Sequence, residues 1–134
     1  MCPHPQSMNS AYSPGSTRAE FTGRQFGPPV FFLPELWHRG DHLEQGPTDN
    51  MMALLMLHDV LTYPAFHNAT ARMKYDKVWE DFGAAEADVE FLPYWNNANV
   101  VTASPESVKV SIWRRPQAAL LAIANLSGDD VTAS

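Results

Sequence analysis

The sequence predicts an α/β segment followed by a β segment, the first strands of an incomplete β-sandwich. Three observations carry this reading. The continuous apolar run Val30-Phe31-Phe32-Leu33 is bounded by prolines and leads into a polar loop and then a helix, the order of an α/β unit. Strand-like runs follow one another after residue 88 with no helix between them. The last of these, Val131-Thr132-Ala133-Ser134, only begins as the sequence stops. A lone hairpin is marginal in water, and three or more strands or a supporting helix are needed. The chain therefore reads as a piece of a larger protein.

The elements follow in order. Residues 1–16 carry Pro, Ser, Asn and Gly without a period and are expected to be a loop or disordered lead-in. Thr17-Arg18-Ala19-Glu20 fits a capping box, with a hydroxyl at the N-cap and Glu at N3. The helix it opens would run to about Gln25, with Gly27 beyond it and Pro28-Pro29 blocking continuation. The run at residues 30–33 suits a buried strand of a parallel sheet. A loop over residues 34–46 precedes a helix opened by Pro47-Thr48-Asp49. Its apolar positions are Met51, Met52, Leu54, Leu55, Leu57 and Leu61, and Pro64 ends it. A second helix over residues 71–82 sets Tyr75, Val78, Trp79 and Phe82 at helical spacing and stops at Gly83.

Residues 90–92 and 100–102 then read as strands. Val108, Val110 and Ile112 alternate with Lys109, Ser111 and Trp113. Arg114-Arg115-Pro116-Gln117 breaks that run, and residues 118–126 form the next. Ser127-Gly128-Asp129-Asp130 makes another turn. The boundary between the two parts falls near residues 85–92, giving an α/β segment over 17–87 and a β segment over 88–134.

Composition narrows the function classes. A chain of 134 residues with 45% hydrophobic content can build one core. The net charge is −6, and the nine Lys and Arg are scattered. Neither nucleic acid nor an anionic membrane would find a basic patch. Cys2 is alone, so no intramolecular disulfide forms. The start has no charged segment followed by an apolar one, so it does not read as a signal peptide. The longest apolar stretch, residues 51–57, is too short to cross a bilayer. Eleven prolines and four tryptophans suit a loop-lined site.

The densest polar-aromatic cluster is Pro34-Glu35-Leu36-Trp37-His38-Arg39-Gly40-Asp41-His42, directly after the buried run. Loops at strand ends build the sites of α/β folds. Glu35 there is either a general acid/base or hydroxyl acceptor, or simply a solvated carboxylate. His38 and His42 share a face only on a helix, which Gly40 disfavours, so no metal or other cofactor is expected. No nucleophile elbow and no phosphate-binding loop occurs. Asp49 reads either as a first-turn acid facing the helix dipole or as a ligand contact. His58 falls near the apolar stripe and reads as a core histidine. Tyr94-Trp95-Asn96-Asn97 offers rings for stacking on sugar C–H faces and amides for hydroxyls, and equally suits an interdomain wedge. Asn68-Ala69-Thr70 and Asn125-Leu126-Ser127 match the glycosylation pattern, the second inside an expected strand and so by chance.

Several stretches, in their order, carry a family resemblance. They are Arg18-Ala19-Glu20-Phe21, Gly27-Pro28-Pro29-Val30-Phe31-Phe32-Leu33-Pro34-Glu35, Pro47-Thr48-Asp49-Asn50 and Leu57-His58-Asp59. Trp79 through Phe82-Gly83, Phe91-Leu92-Pro93-Tyr94-Trp95 and Val108-Lys109-Val110-Ser111 complete the set. Together they resemble the C-terminal portion of bacterial glycoside hydrolases similar to family 123, over roughly residues 17–127. The resemblance implies the end of a (β/α)8 barrel joined to a β-sandwich, and hydrolysis of N-acetylhexosaminides by substrate-assisted catalysis with an Asp-Glu pair. No Asp is followed directly by Glu in this sequence. The catalytic carboxylates would therefore lie upstream, and the fragment alone would be inactive. Glu35, Trp37, Arg39, Asp49, Tyr94 and Trp95 are the expected substrate-binding residues. The expected partners are a carbohydrate and the remainder of the parent chain. The rival expectations are a noncatalytic carbohydrate-binding module using Trp37, Tyr94 and Trp95, and an interdomain structural fragment.

Overall fold

A computed structural model of the protein describes residues 15, 17, 18, 31–33, 43–65 and 67–134. Strand β1 (Phe31–Phe32) is followed by helix α1 (Gln45–His58) and strand β2 (Leu61–Thr62). The two strands pair in parallel, Phe31 opposite Leu61 and Phe32 opposite Thr62. Parallel neighbours need a long crossover, and α1 lies within it. The Thr62 hydroxyl (3.2 Å) and the Tyr63 N–H (2.9 Å) both donate to the Phe32 carbonyl and hold the pair. The helix expected from Thr17 to Gln25 lies outside the described residues apart from Thr17 and Arg18.

Helix α1 departs from the expectation at both ends. It begins at Gln45, so Pro47 sits within the first turn, where its missing N–H costs nothing. Asp49 is consequently past the first turn, which contains no acidic residue; the helix-dipole account of Asp49 does not hold. At the other end Asp59 takes φ 56° and ψ 43°, and the Val60 N–H turns back to the Leu55 carbonyl at 3.1 Å. A left-handed residue stops an α-helix, and Asp is among the side chains that tolerate that conformation. Leu61, expected in the helix, is therefore in β2.

Helix α2 (Ala69–Phe82) starts two residues earlier than its periodicity indicated, because Asn68 caps it. The Asn68 side chain accepts the Ala71 N–H at 2.8 Å and donates to the Leu43 carbonyl at 2.7 Å. Its own N–H donates to the buried Thr48 hydroxyl at 2.8 Å. One residue thus ties the start of α2 to α1 and to the turn before it. Gly83, at φ 70°, ends α2 at the expected place. Phe32, Met51, Met52 and Leu55 form a buried cluster, with Met56, Val60 and Tyr75 packed against it.

The rest is an antiparallel sheet in the order β3 (Glu90–Leu92), β4 (Val108–Arg115), β5 (Ala118–Asn125). Arg115 pairs with Ala118, so Pro116-Gln117 is a two-residue hairpin loop. Phe91, Trp113 and Leu120 align on one face, and Leu92, Ile112 and Leu121 on the other. Among the described residues the architecture is thus helices followed by a three-stranded sheet, α/β and then β. Residues 100–102 are not a strand: the Val100 and Val101 N–H groups both turn back to the Asn97 carbonyl, at 2.8 and 3.0 Å. The buried Asn97 amide anchors this turn by donating to the Val110 carbonyl at 2.8 Å. Residues 131–134 form no strand either, although Ser134 exchanges two backbone hydrogen bonds with Ser104.

β4 is buried on both faces from Val110 to Trp113. Its Ser111 hydroxyl donates to the Leu57 carbonyl at 2.7 Å, and the Trp113 indole N–H donates to Asp59 at 3.2 Å. Both contacts land on the C-terminal end of α1, so the sheet is seated on the end of that helix. Along β5, Leu121 and Ile123 remain exposed, at 46% and 62%.

Candidate functional site

Of the expected site residues, the fold brings Tyr94 and Trp95 together around the end of α1. The last turn of α1 presents His58, which is 2% exposed. Its Nδ1 lies 2.7 Å from the Leu54 carbonyl. A carbonyl only accepts, so Nδ1 carries a proton and donates to it. Nε2 faces the Tyr94 hydroxyl at 3.5 Å, the outer limit of a hydrogen bond. Trp95 stacks on the imidazole at 5.4 Å between centroids, and Tyr94 meets it edge-on at 5.5 Å. The Tyr94 and Trp95 rings are themselves perpendicular, 4.9 Å apart. The reading of His58 as a core histidine agrees with its burial.

Cations complete the cluster. The Arg18 guanidinium lies 5.0 Å from the centre of the Trp95 ring, and Lys109 Nζ lies 5.9 Å from that of Tyr94. Both fall within the range in which a ring face attracts a positive charge. Burial raises the Tyr94 phenol above its ordinary value, and the nearby Arg18 works against that rise. Neither Arg18 nor Lys109 was singled out as a site residue from the sequence. Arg18 lies 77 residues from Trp95 and Lys109 lies 15 from Tyr94, so only the adjacency of Tyr94 and Trp95 is a local signal.

Asp49 is elsewhere. Its carboxylate accepts the Gln45 side-chain amide at 2.9 Å and the Tyr75 hydroxyl at 3.0 Å, pinning α1 to α2. Burial, then the bond and charge of Asp49, push the Tyr75 phenol up to about 12. Asp49 precedes His58 by nine residues, about 13 Å along a helix axis, so α1 holds the two at opposite ends. Glu35, Trp37 and Arg39 lie outside the described residues, as do His38, Asp41 and His42. Among the described residues no three His, Cys, Asp or Glu side chains gather as a metal site, and no helix is long and apolar enough to cross a membrane.

Among the described residues this arrangement offers ring surfaces, an imidazole and two cations. Neither a curated protein nor a solved structure matches the chain. Residues 72–134 do match a family model, that of the glycoside hydrolase 123 C-terminal domain. The match starts in α2 and takes in β3, β4, β5, Tyr94, Trp95 and Lys109. Over these residues, which take in most of α2 and the antiparallel sheet, the chain is similar to the C-terminal domain of glycoside hydrolase family 123.

Proposed function

We propose that this chain is the C-terminal part of a carbohydrate-active glycoside hydrolase and is inactive by itself. The observation that carries the proposal is the family match over residues 72–134, on a sheet seated against a parallel β–α–β unit. In this reading β1, α1, β2 and α2 belong to the end of a (β/α)8 barrel. The β3–β5 sheet supplies the first strands of a β-sandwich. Two carboxylates at the scissile bond are the usual minimum for hydrolysis of a glycosidic bond. Here Asp49 is engaged by Gln45 and Tyr75, and Asp59 by Trp113. No Asp is followed directly by Glu in this sequence, so in this reading the acid/base pair belongs to a part of the enzyme outside this chain. Glu35, Trp37, Arg39, Asp49, Tyr94 and Trp95 would line the sugar site, with Asp49 at the opposite end of α1 from Tyr94 and Trp95.

The test is hydrolysis of aryl N-acetylhexosaminides by the 134-residue chain. No release of the aryl alcohol is expected. Turnover that follows the purified chain and disappears in an Asp49→Asn or Asp59→Asn variant would overturn the assignment.

One observation favours a second reading, a noncatalytic interdomain module. The Trp95 ring already carries His58 and Arg18 against it, as a packed wedge would. Sugar affinity that survives Glu35→Gln and Asp49→Asn but is lost in Trp37→Ala would select a carbohydrate-binding module without acid/base chemistry.

A further inference from the structure

A second feature lies apart from the Tyr94–Trp95 cluster. A cleft opens where the end of α1, β2, α2 and β4 meet, with a volume of ≈ 40 Å³. A water needs roughly 10–15 Å³ on this measure, so the cleft admits about three water-sized groups. That is room for one edge of a six-membered ring and its substituents, with the remainder of the ring at the mouth.

The polar groups of the cleft are unevenly satisfied. Asp59 is an exposed residue, and one of its carboxylate oxygens takes the Trp113 indole N–H at 3.2 Å, which leaves the second oxygen able to accept from water or a ligand. Arg72 pairs through Nη2 with Asp76 at 3.1 Å, but its buried Nε–H has no acceptor. The cleft therefore presents one spare acceptor and one spare donor. Buried polar groups are nearly always paired, and the Arg72 Nε–H is an exception that calls for an explanation. A cation would meet the Arg72 guanidinium, and an anion would meet Asp59 and Asp76. A neutral hydroxyl compound meets neither penalty, because each hydroxyl both donates and accepts. The walls fit the same ligand: Trp79 and Tyr75 are part-buried rings lining the cleft, and ring faces suit the C–H surface of a sugar. Burial raises the Asp59 carboxyl above its ordinary value, as expected where no cation compensates it.

We propose that this cleft binds one edge of a pyranose, with hydroxyls donating to Asp59 and accepting from Arg72 Nε against the wall formed by Trp79. The proposal rests on the carbohydrate reading above and adds a sugar subsite separate from Tyr94 and Trp95.

The experiment follows the indole N–H resonances of the four tryptophans as methyl glycosides of hexoses and N-acetylhexosamines are added to the chain. Saturable shifts at Trp79 and Trp113 are expected. Asp59→Asn should weaken the affinity about tenfold, the loss typical of a hydrogen bond to a charged group. Asn accepts the left-handed backbone and the Trp113 N–H, so the sugar-free spectrum should keep its dispersion. Arg72→Lys, which retains the charge and removes Nε, should weaken binding as well. Unchanged affinity in both variants overturns the subsite. So does a response of Trp79 and Trp113 to tetramethylammonium or sulfate in place of glycosides. Shifts confined to Trp95 or Trp37 overturn the cleft and leave the carbohydrate reading standing. No saturable shift at any indole removes both.

Discussion

The Ser111 hydroxyl donates to the Leu57 carbonyl at 2.7 Å and accepts the Tyr94 N–H at 3.0 Å. Ser111 and Leu57 are both 0% exposed. Leu57 belongs to the last turn of α1, whose carbonyls have no partner within the helix. One buried hydroxyl thus caps a helix end, joins it to the central strand of the sheet, and fixes the backbone entering the Tyr94–Trp95 pair.

Ser111→Ala should therefore be far more costly than the loss of one ordinary hydrogen bond. It strands a buried carbonyl and a part-buried N–H, and an unsatisfied buried group costs about 1–3 kcal/mol. A total near 2–3 kcal/mol is expected, read as a lower urea midpoint at unchanged slope. The His58 ring should also lose its fixed contact with Tyr94, visible as a shifted imidazole resonance. A cost within about 0.5 kcal/mol, the range of an ordinary surface change, would show that the seam does not depend on this hydroxyl.

Gly83 and Arg115 form a second junction. Gly83 adopts φ +70°, and a Cβ added there would lie 2.8 Å from Arg115 Nη2. That nitrogen donates to the Phe82 and Gly83 carbonyls at the end of α2. Gly83→Ala should cost about 1–2 kcal/mol for the left-handed backbone, and more because Arg115 must leave its carbonyls. Arg115→Ala should already have lost those bonds. The double variant should then be less destabilised than the sum of the singles, by about 0.5 kcal/mol or more. Strict additivity in denaturant melts would separate the two residues.

These junctions mark the limit of what the sequence discloses. Helix α2 and strands β3, β4 and β5 were legible because their signals are local: the helical spacing of Tyr75, Trp79 and Phe82, the stop at Gly83, and the alternation around Val110. The end of α1 was not. Asp59 terminates it with a left-handed turn, and its side chain is held by Trp113, 54 residues away. Residues 100–102 have strand composition, yet the Asn97 amide holds a turn there by reaching Val110. The site follows the same division. Tyr94 and Trp95 are neighbours in the chain, whereas Arg18, His58 and Lys109 meet them only through the fold.

His67 should make the protein acid-sensitive earlier than its carboxylates do. Burial lowers its pKa below 6.5, partly opposed by the bond to the Ala65 carbonyl. Below pH 6.5 the unfolded chain takes up a proton that the folded ring resists. Stability contributed by the neutral ring is complete above 6.5, falls as the pH drops below it, and levels off beneath the folded value. Urea midpoints from about pH 8 to about pH 5 should decline in the wild type. His67→Gln should flatten the curve; an equal decline in the variant would assign it to another group.

Asp59 should behave in the opposite sense. Its pKa is raised above 3.8, by burial first, with the Trp113 bond working against the rise. Above 3.8 the folded state therefore holds a proton more readily than the unfolded one. Ionisation weakens the fold as the pH rises from 3.8 through the folded value, and the penalty is constant beyond it. Asparagine removes that penalty, keeps an acceptor for the Trp113 N–H, and is at home at φ 56°. Asp59→Asn should thus be more stable than the wild type at neutral pH, with the advantage shrinking as the pH falls toward 3.8. A destabilised variant at neutral pH would show that the carboxylate charge supports the fold. A stabilised variant that also loses glycoside affinity has a different meaning. The charge would then be retained against stability, the pattern of a residue kept for what it binds.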